Sequence, residues 1–183
     1  MIDLTQKSLP NTIEVNGRLF SIYTDFRIWM RFEISIMEHR NAKEIPVDYL
    51  FKNEKPVYCN IRDLLAFSRP RRDIPRPVRG TSDEIILDYK QDADLIYAAF
   101  LQQYGIDLMD VEELHWHKFL AMIHGLKGTK LDEVMGYRCY TKQRDKTIDP
   151  YEEMKEAWRL ERPLDEEEQA QLDEFNRLFG GGE

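Results

Sequence analysis

The feature that most constrains the fold is a wide apolar arc on a helix predicted over residues 110–126. At about 100° per residue, its apolar side chains sweep about half of the helix circumference. They are Val111, Trp116, Phe119, Leu120, Met122, Ile123 and Leu126, with Leu114 and Ala121 extending one flank. A surface helix needs an apolar arc of only about 100°. We therefore expect this helix to be buried on most sides, either centrally in a domain or at a subunit contact.

A second helix is predicted directly before it, over residues 92–104. Asp92 or Asp94 is a suitable N-cap, and Gly105 is a suitable C-terminal stop. Asp110 then begins the next helix, with Glu113 three residues later as in a capping box. Because the connection is short, the two helices are expected to form an αα-hairpin.

The rest of the chain predicts a mainly α fold. Asn16-Gly17 lies between two β-prone apolar runs and predicts an N-terminal β-hairpin. Further helices are predicted over about 25–38, within 47–67 (best defined over 61–67), around 131–135, from 149 to about 160, and over 165–179. Thr24 or Asp25 is a suitable cap for the first of these, and Asp149-Pro150 is a cap followed by a first-position proline. The apolar run 85–89 is compatible with a short strand and stays undecided. The expected fold is a compact helical domain with a small N-terminal β-hairpin and a C-terminal helical arm.

Charge divides the chain into two parts. The net charge is −8, and residues 145–183 carry 13 acidic and 5 basic side chains, so the first 144 residues balance. We therefore assign a core domain to residues 1–144 and an acidic C-terminal helical arm to residues 145–183. Within the core, residues 68–80 hold five arginines and three prolines and break all periodicity. We call this stretch the arginine–proline loop and expect an extended, solvated conformation.

Two features are candidates for protein contact. The arginine–proline loop is either simply solvated, a contact for an acidic partner such as the arm of a neighbouring copy, or a nucleic-acid contact. The last interpretation is disfavoured because no aromatic residue is interleaved to stack bases and the chain as a whole is acidic. The apolar stripe of the last helix either packs on its own core or fills a groove on another chain. The candidate contact residues are Arg69, Arg71, Arg72, Arg76, Arg79, Leu172, Phe175, Leu178 and Phe179.

Metal binding is not expected on the predicted helix 110–126. Glu113, His117 and His124 share a narrow polar stripe, but His124 lies seven residues beyond His117, about 10 Å along the axis. The E-x-x-H pattern of Glu112 and His115 occurs once, whereas a di-iron bundle requires it twice. An intrahelical Glu113–His117 pair is the better expectation.

Other chemical roles are not indicated by the sequence. It contains no phosphate-binding glycine loop, no nucleophile elbow and no H-E-x-x-H pattern, so we expect neither an enzyme nor a cofactor. Cys59 and Cys139 have no metal-type spacing and give no disulfide framework. No apolar run approaches the roughly 18 residues of a membrane span, and the first residues do not resemble a secretory signal.

The middle of the chain resembles a known family, the "gp fifteen" family of tailed bacteriophages. The resemblance extends over about residues 13–140 and is most specific over 92–137. It rests on the runs Asp25-Phe26-Arg27, Asp92-Ala93-Asp94-Leu95-Ile96-Tyr97, Phe100-Leu101-Gln102-Gln103-Tyr104-Gly105, Leu114-His115-Trp116-His117-Lys118-Phe119, Gly125-Leu126 and Met135-Gly136-Tyr137-Arg138.

The resemblance implies a role in tail morphogenesis of siphophages and prophages. Genes of this family lie beside the tape-measure gene, which implies a tail-assembly chaperone that binds the tape-measure protein and recruits tail-tube subunits. Our own hypothesis for the mechanism is a homo-oligomer in the host bacterial cytoplasm, in which copies associate head to tail and the arm 149–179 docks on a neighbouring copy. The alternatives are a structural virion subunit of the tail or neck and a nucleic-acid-associated accessory protein.

Overall fold

The computed structural model describes residues 2–39, 45–69, 85–141, 149–161 and 177. Within these residues the protein is mainly α with one small N-terminal hairpin, so the predicted fold class is confirmed. In chain order the elements are β1 Thr12–Val15, β2 Arg18–Ser21, α1 Phe26–Glu38, a 3-10 turn Asp48–Leu50, α2 Ile61–Ser68, α3 Ala93–Tyr104, α4 Trp116–Gly125, α5 Lys130–Arg138 and α6 Pro150–Ala157.

The N-terminal hairpin forms as predicted. Asn16 and Gly17 both take positive φ, 53° and 76°, as a type I′ turn requires. The antiparallel register pairs Thr12 with Ser21 and Val15 with Arg18. The chain after the 3-10 turn extends this small sheet, because Phe51 forms a bridge with Ile22 beside β2. The hairpin thus packs on its own chain, which supplies the partner that an isolated hairpin needs.

Helix α4 lies at the centre of the core. Trp116 and Phe119 have no exposed surface, which confirms that this helix is buried on most sides. The Phe119 ring stacks on Phe26 of α1, with ring centroids 4.9 Å apart, and on Phe100 of α3, with centroids 5.0 Å apart. Trp29 of α1 in turn packs against Phe67 of α2. A continuous aromatic core therefore joins α1, α2, α3 and α4.

The predicted start of α4 at Asp110 is wrong, because the helix begins at Trp116. Residues 114–116 instead pair in an extended conformation with the chain before α1. The amide of Phe26 donates to the carbonyl of Leu114 over 2.8 Å, and the amide of Trp116 donates to the carbonyl of Thr24 over 2.7 Å. The Arg27 guanidinium also donates to the carbonyl of Val111, which a helix starting at Asp110 would need for its own ladder. Tertiary pairing thus overrides the local capping box.

Two further expectations fail with that helix start. The connection between α3 and α4 spans residues 105–115, so it is not the short link of the predicted αα-hairpin, although the two helices are neighbours. Glu113 lies outside α4 and accepts a hydrogen bond from Thr24. The predicted intrahelical pair with His117 therefore does not exist.

The remaining helices follow the sequence closely, while the apolar run 85–89 forms no strand. α3 ends at Gly105, whose φ of 65° is left-handed, as predicted. Within 47–67 only the 3-10 turn and α2 are helical. Asp149 caps α6 and Pro150 occupies its first position, also as predicted. The helix predicted over 165–179 lies outside the described residues apart from Arg177, which is helical.

Candidate functional site: two anchored segments and an exposed apolar surface

The first anchor fixes the start of the arginine–proline loop. Ser68 is the last residue of α2, and Arg69 follows as its C-cap. The Arg69 guanidinium donates to Glu33 of α1, with Nη2 2.6 Å and Nε 3.0 Å from Oε2. The Glu33 side chain is only 5% exposed, whereas that of Arg69 is 57% exposed. Arg69 thus neutralises a buried carboxylate from the edge of the core, and its hydrogen bonds to Glu33 raise the Arg69 pKa.

Helix α4 completes this anchor. The Ser68 hydroxyl donates to Glu33, and the Ser68 carbonyl accepts from the Trp116 indole over 2.8 Å. His117 Nε2 lies 2.8 Å from the Phe67 carbonyl and donates to it. Burial lowers the pKa of His117 to about 4, so the ring is neutral at pH 7. Side chains of α4 therefore satisfy two of the last carbonyls of α2, directly before the arginine–proline loop.

His115 holds the N-terminus of α4. Its Nδ1 accepts from the His117 amide over 3.0 Å, as an N-cap does, and its Nε2 donates to the Pro10 carbonyl over 3.0 Å. Burial lowers the pKa of His115. The three histidines weighed as metal ligands in the sequence thus make structural hydrogen bonds, since His124 bonds to the Leu120 carbonyl. Among the described residues no group of three or more His, Cys, Asp or Glu side chains is arranged to hold a metal ion.

The second anchor is a buried arginine at the end of α5. Arg138 donates to both carboxylate oxygens of Asp92, over 2.7 and 2.9 Å, and the two side chains are 7% and 3% exposed. Asp92 occupies the N-cap position of α3 as predicted, but its carboxylate binds Arg138 and the Asp88 amide, leaving the helix start without a side-chain cap. Arg138 also donates to the carbonyls of Ile86 and Trp158, over 3.1 and 2.7 Å.

Arg138 therefore joins two segments that are distant in the sequence. Ile86 is among the first described residues after the arginine–proline loop, and Trp158 follows α6 in the acidic arm. A second contact supports the same junction, because the Gln91 side-chain amide pairs with the backbone of Glu161 over 2.6 and 2.9 Å. Ile86 and Gln91 are thus both linked to residues 158–161 of the arm, and this part of the arm packs on its own chain.

An aromatic cluster lies between α5 and α6. Tyr151 stacks on Tyr140, with centroids 5.3 Å apart, and lies 6.0 Å from Tyr137. The Lys130 ammonium lies over the rings of both Tyr137 and Trp158, at 5.8 and 5.3 Å. Tyr137 and Trp158 therefore make cation–π contacts with the same ammonium group.

Three exposed apolar side chains lie on β2 and on the neighbouring segment 54–58. The segment 54–58 runs beside the hairpin turn, since Arg18 pairs with Glu54 over 2.6 Å and the Asn16 side chain donates to the Tyr58 carbonyl. Val57 is fully exposed and Tyr58 is 70% exposed, while Leu19 of β2 is 67% exposed. We call Leu19, Val57 and Tyr58 the hairpin-end apolar residues, and no pattern in the sequence predicts that they are exposed together.

Of the nine candidate contact residues, only Arg69 falls within the described residues, and it serves as a loop anchor. The others lie outside them, so their role stays a prediction: Arg71, Arg72, Arg76, Arg79, Leu172, Phe175, Leu178 and Phe179. Glu33 and Ser68 were missed by the sequence analysis. A signal for Glu33 exists, because it lies seven residues after Phe26 and four after Trp29, on the apolar face of α1.

The helices in the described ranges include none with the length and apolar character of a membrane span.

Comparison with known proteins identifies the family. No curated protein and no solved structure matches the chain. The family model described as "Bacteriophage Gp15 protein" matches residues 5–160, which include the hairpin, every described helix from α1 to α6 and both anchors. The chain therefore belongs to the bacteriophage Gp15 protein family.

Proposed function

We propose that this bacteriophage protein is a non-enzymatic tail-assembly chaperone that acts in the host bacterial cytoplasm. In this role it forms homo-oligomers, binds the tape-measure protein and recruits tail-tube subunits. The family match supports the phage context. The observation that carries the binding role is the exposure of the hairpin-end apolar residues on a folded core.

The hairpin-end apolar residues fit the task of shielding an apolar helix. Val57 and Tyr58 belong to a segment that contacts the hairpin through the Arg18–Glu54 ion pair and the hydrogen bond from Asn16 to Tyr58. Exposed apolar side chains on a rigid support are typical of binding surfaces, where a few large residues carry most of the affinity. A tape-measure helix would lay its apolar stripe against them, as in helix-in-groove recognition.

Homo-oligomers would form by repetition of one heterologous contact. Such a contact generates an open spiral when its rotation does not close, and a spiral can coat a long helical partner. Light scattering or native mass measurements on the full chain, alone and with tape-measure fragments, test this step. A strict monomer that binds no fragment would refute the proposal.

The binding surface is tested with a paired variant. V57S/Y58S should weaken binding of a tape-measure fragment by roughly tenfold or more, because each lost apolar anchor costs about 1 kcal/mol or more. Met109→Ser is the matched control, since Met109 is 80% exposed but lies on the connection between α3 and α4. Equal binding by wild type, V57S/Y58S and the control would exclude this surface. Recovery of the protein from purified virions at fixed copy number would instead favour a structural subunit.

A further inference from the structure

Helix α6 is attached to the fold differently from the other helices. Each of α1 to α5 buries at least three of its residues, whereas α6 buries none. It packs on α5, and the residues that follow it bond to Arg138 at the end of α5 and to Gln91 just before α3. We call residues 149–161 the α6 strap. A segment that buries so little of itself opens at a lower free energy than the aromatic core.

The strap lies on one face of α5. Lys130, Val134 and Arg138 follow each other at intervals of four residues on that face. The Lys130 ammonium lies 5.3 Å from the ring centroid of Trp158, and Arg138 Nε donates to the Trp158 carbonyl over 2.7 Å. Trp158 therefore spans the turn between them, where Val134 has no exposed surface although it lies outside the main core cluster. We call this face of α5 the acceptor site of the strap.

The acceptor site and the strap are complementary in charge. The strap carries five acidic and two basic side chains, and the acceptor site carries Lys130 and Arg138. Glu156 pairs with Arg159 inside the strap, so that pair moves with it. Opening keeps the buried ion pair of Arg138 with Asp92, but it removes one acceptor of Arg138 and uncovers Val134. An opened copy therefore presents a site that fits the α6 strap of a second copy.

We propose that copies of this protein exchange α6 straps head to tail. The strap of one copy leaves its own α5 and docks on the acceptor site of the next copy, with the same contacts to Lys130, Arg138 and Gln91 that it makes within one chain. The two sides of this contact differ, so a series of such contacts stays open at both ends. The inference rests on the homo-oligomer of the proposed function and names the elements that join its copies.

The connection before the strap sets the concentration at which exchange competes. The seven residues 142–148 join α5 to the strap and span up to about 25 Å when extended. So short a connection keeps the strap near its own acceptor site at an effective concentration on the order of millimolar. Because the contacts are the same in both forms, exchange becomes comparable with the closed form only when acceptor sites of other copies are also near millimolar. A tape-measure helix that aligns bound copies would provide that local concentration.

Cross-linking distinguishes the closed form from the exchanged form. The Gln91 side chain bonds the carbonyl and the amide of Glu161 over 2.6 and 2.9 Å, so these two positions lie close together. The variant C59S/C139S/Q91C/E161C is incubated at each concentration, treated with a short bis-maleimide and separated under denaturing conditions. A link within one chain leaves a single chain, whereas links between exchanged copies give a ladder. Q91C removes the Gln91 amide from both forms alike and so favours neither.

The interchain fraction should rise with protein concentration. We expect about 1% at about 10 µM and about half at about 1 mM, because the effective concentration within one chain is on the order of millimolar. A fraction that stays at a few per cent at about 1 mM would overturn the proposal. Dimers without longer species would overturn its head-to-tail form.

Gln103 and Lys127 provide the matched control. The Gln103 side chain bonds the Lys127 amide over 2.8 Å and the Gly125 carbonyl over 3.0 Å, which is the same kind of contact within the core. C59S/C139S/Q103C/K127C should therefore give links within one chain at every concentration. An equal ladder in this variant would show that the links between copies come from random collision, and would also overturn the proposal.

A tape-measure fragment separates failure of this inference from failure of the proposed function. With a fragment long enough for several copies, the ladder should already form at about 10 µM, where the protein alone is almost entirely closed. Fragment binding and oligomers in light scattering, with links only within one chain, would overturn strap exchange and leave the proposed function intact. A ladder at about 1 mM in a protein that binds no fragment would support strap exchange and refute the tape-measure role.

Discussion

Removal of the Arg138 guanidinium should be among the most destabilising single changes in this protein. Arg138→Met keeps most of the side-chain volume but leaves the Asp92 carboxylate, 3% exposed, without its cation. Loss of one partner of a buried ion pair costs roughly 3–5 kcal/mol. The carbonyls of Ile86 and Trp158 also lose their donor, and those bonds are worth about 1 kcal/mol each. Because these effects overlap, we expect a loss of about 4 kcal/mol.

Urea unfolding followed by circular dichroism measures this loss, and thermal unfolding should show a fall in Tm of about 10 °C. R138M/D92N should be less destabilised than the sum of the single variants, because the neutral amide that D92N introduces does not need a buried cation. Arg159→Met is the matched control. Arg159 pairs with Glu156 over 3.5 Å at an exposed site, so its loss should cost less than about 0.5 kcal/mol. A cost below about 1 kcal/mol for R138M would refute the role of Arg138 as a buried anchor.

Three further predictions concern the other anchor and the hairpin. Arg69→Gln should lower the free energy of unfolding, measured in urea, by about 3 kcal/mol, because it leaves a buried carboxylate without its cation. Glu33→Gln removes that carboxylate and should lower it by only about 1 kcal/mol. Equal losses for the two variants would contradict this reasoning. Since burial lowers the pKa of His117 from 6.5 to about 4, its stabilising effect is complete above pH 6.5 and lost as pH falls towards 4. His117→Gln should therefore flatten the stability–pH curve by about 2 kcal/mol over that range, once solvent screening is allowed for; a curve parallel to that of wild type would exclude His117 as the titrating group. Gly17→Ala should lower stability by about 1 kcal/mol because φ at this position is 76°, whereas Gly136→Ala, inside α5 with open space around it, should not destabilise the protein. Urea unfolding of both glycine variants checks this, and equal losses would contradict it.

Local chemistry explains which elements were predictable from sequence. The Asn16-Gly17 turn, the Asp25 cap of α1, the Gly105 stop and the Asp149-Pro150 start each depend on residues adjacent in the chain. Their geometry is set by backbone sterics and by one side-chain hydrogen bond, so no knowledge of the rest of the fold is required. Burial of α4 was predictable for a similar reason, since it follows from the periodicity of its own side chains.

The anchors were not predictable in this way, because each depends on partners distant in the chain. Glu33 and Arg69 are 36 residues apart, and Asp92 and Arg138 are 46 apart. Asp92 satisfies the local rule for an N-cap, yet its carboxylate is directed to Arg138. A charge pattern alone does not say which of the many acids and bases of the chain will be desolvated together. A charge pattern does indicate a buried charge when an acidic residue lies on an otherwise apolar helical face, as Glu33 does.

The misplaced start of α4 shows how such distant pairing changes local structure. Asp110 and Glu113 would cap a helix locally, which is worth about 1 kcal/mol. Against this, the fold gains the two backbone hydrogen bonds that link 114–116 to 24–26, and Arg27 donates to the carbonyls of Leu108 and Val111. Each of these bonds contributes about 1 kcal/mol, and those from the charged Arg27 contribute more. Together they replace both the cap and the backbone hydrogen bonds that a helix over 110–115 would make, and these residues lie outside the helix.

The same extended pairing places His115 at the start of α4 and directs His117 towards α2, where it completes the first anchor. A helix that began at Asp110 would use the amide of His117 in its own ladder and would leave no extended segment to pair with residues 24–26. The residues that make the local prediction fail are thus the ones that connect α1, α4 and the root of the arginine–proline loop.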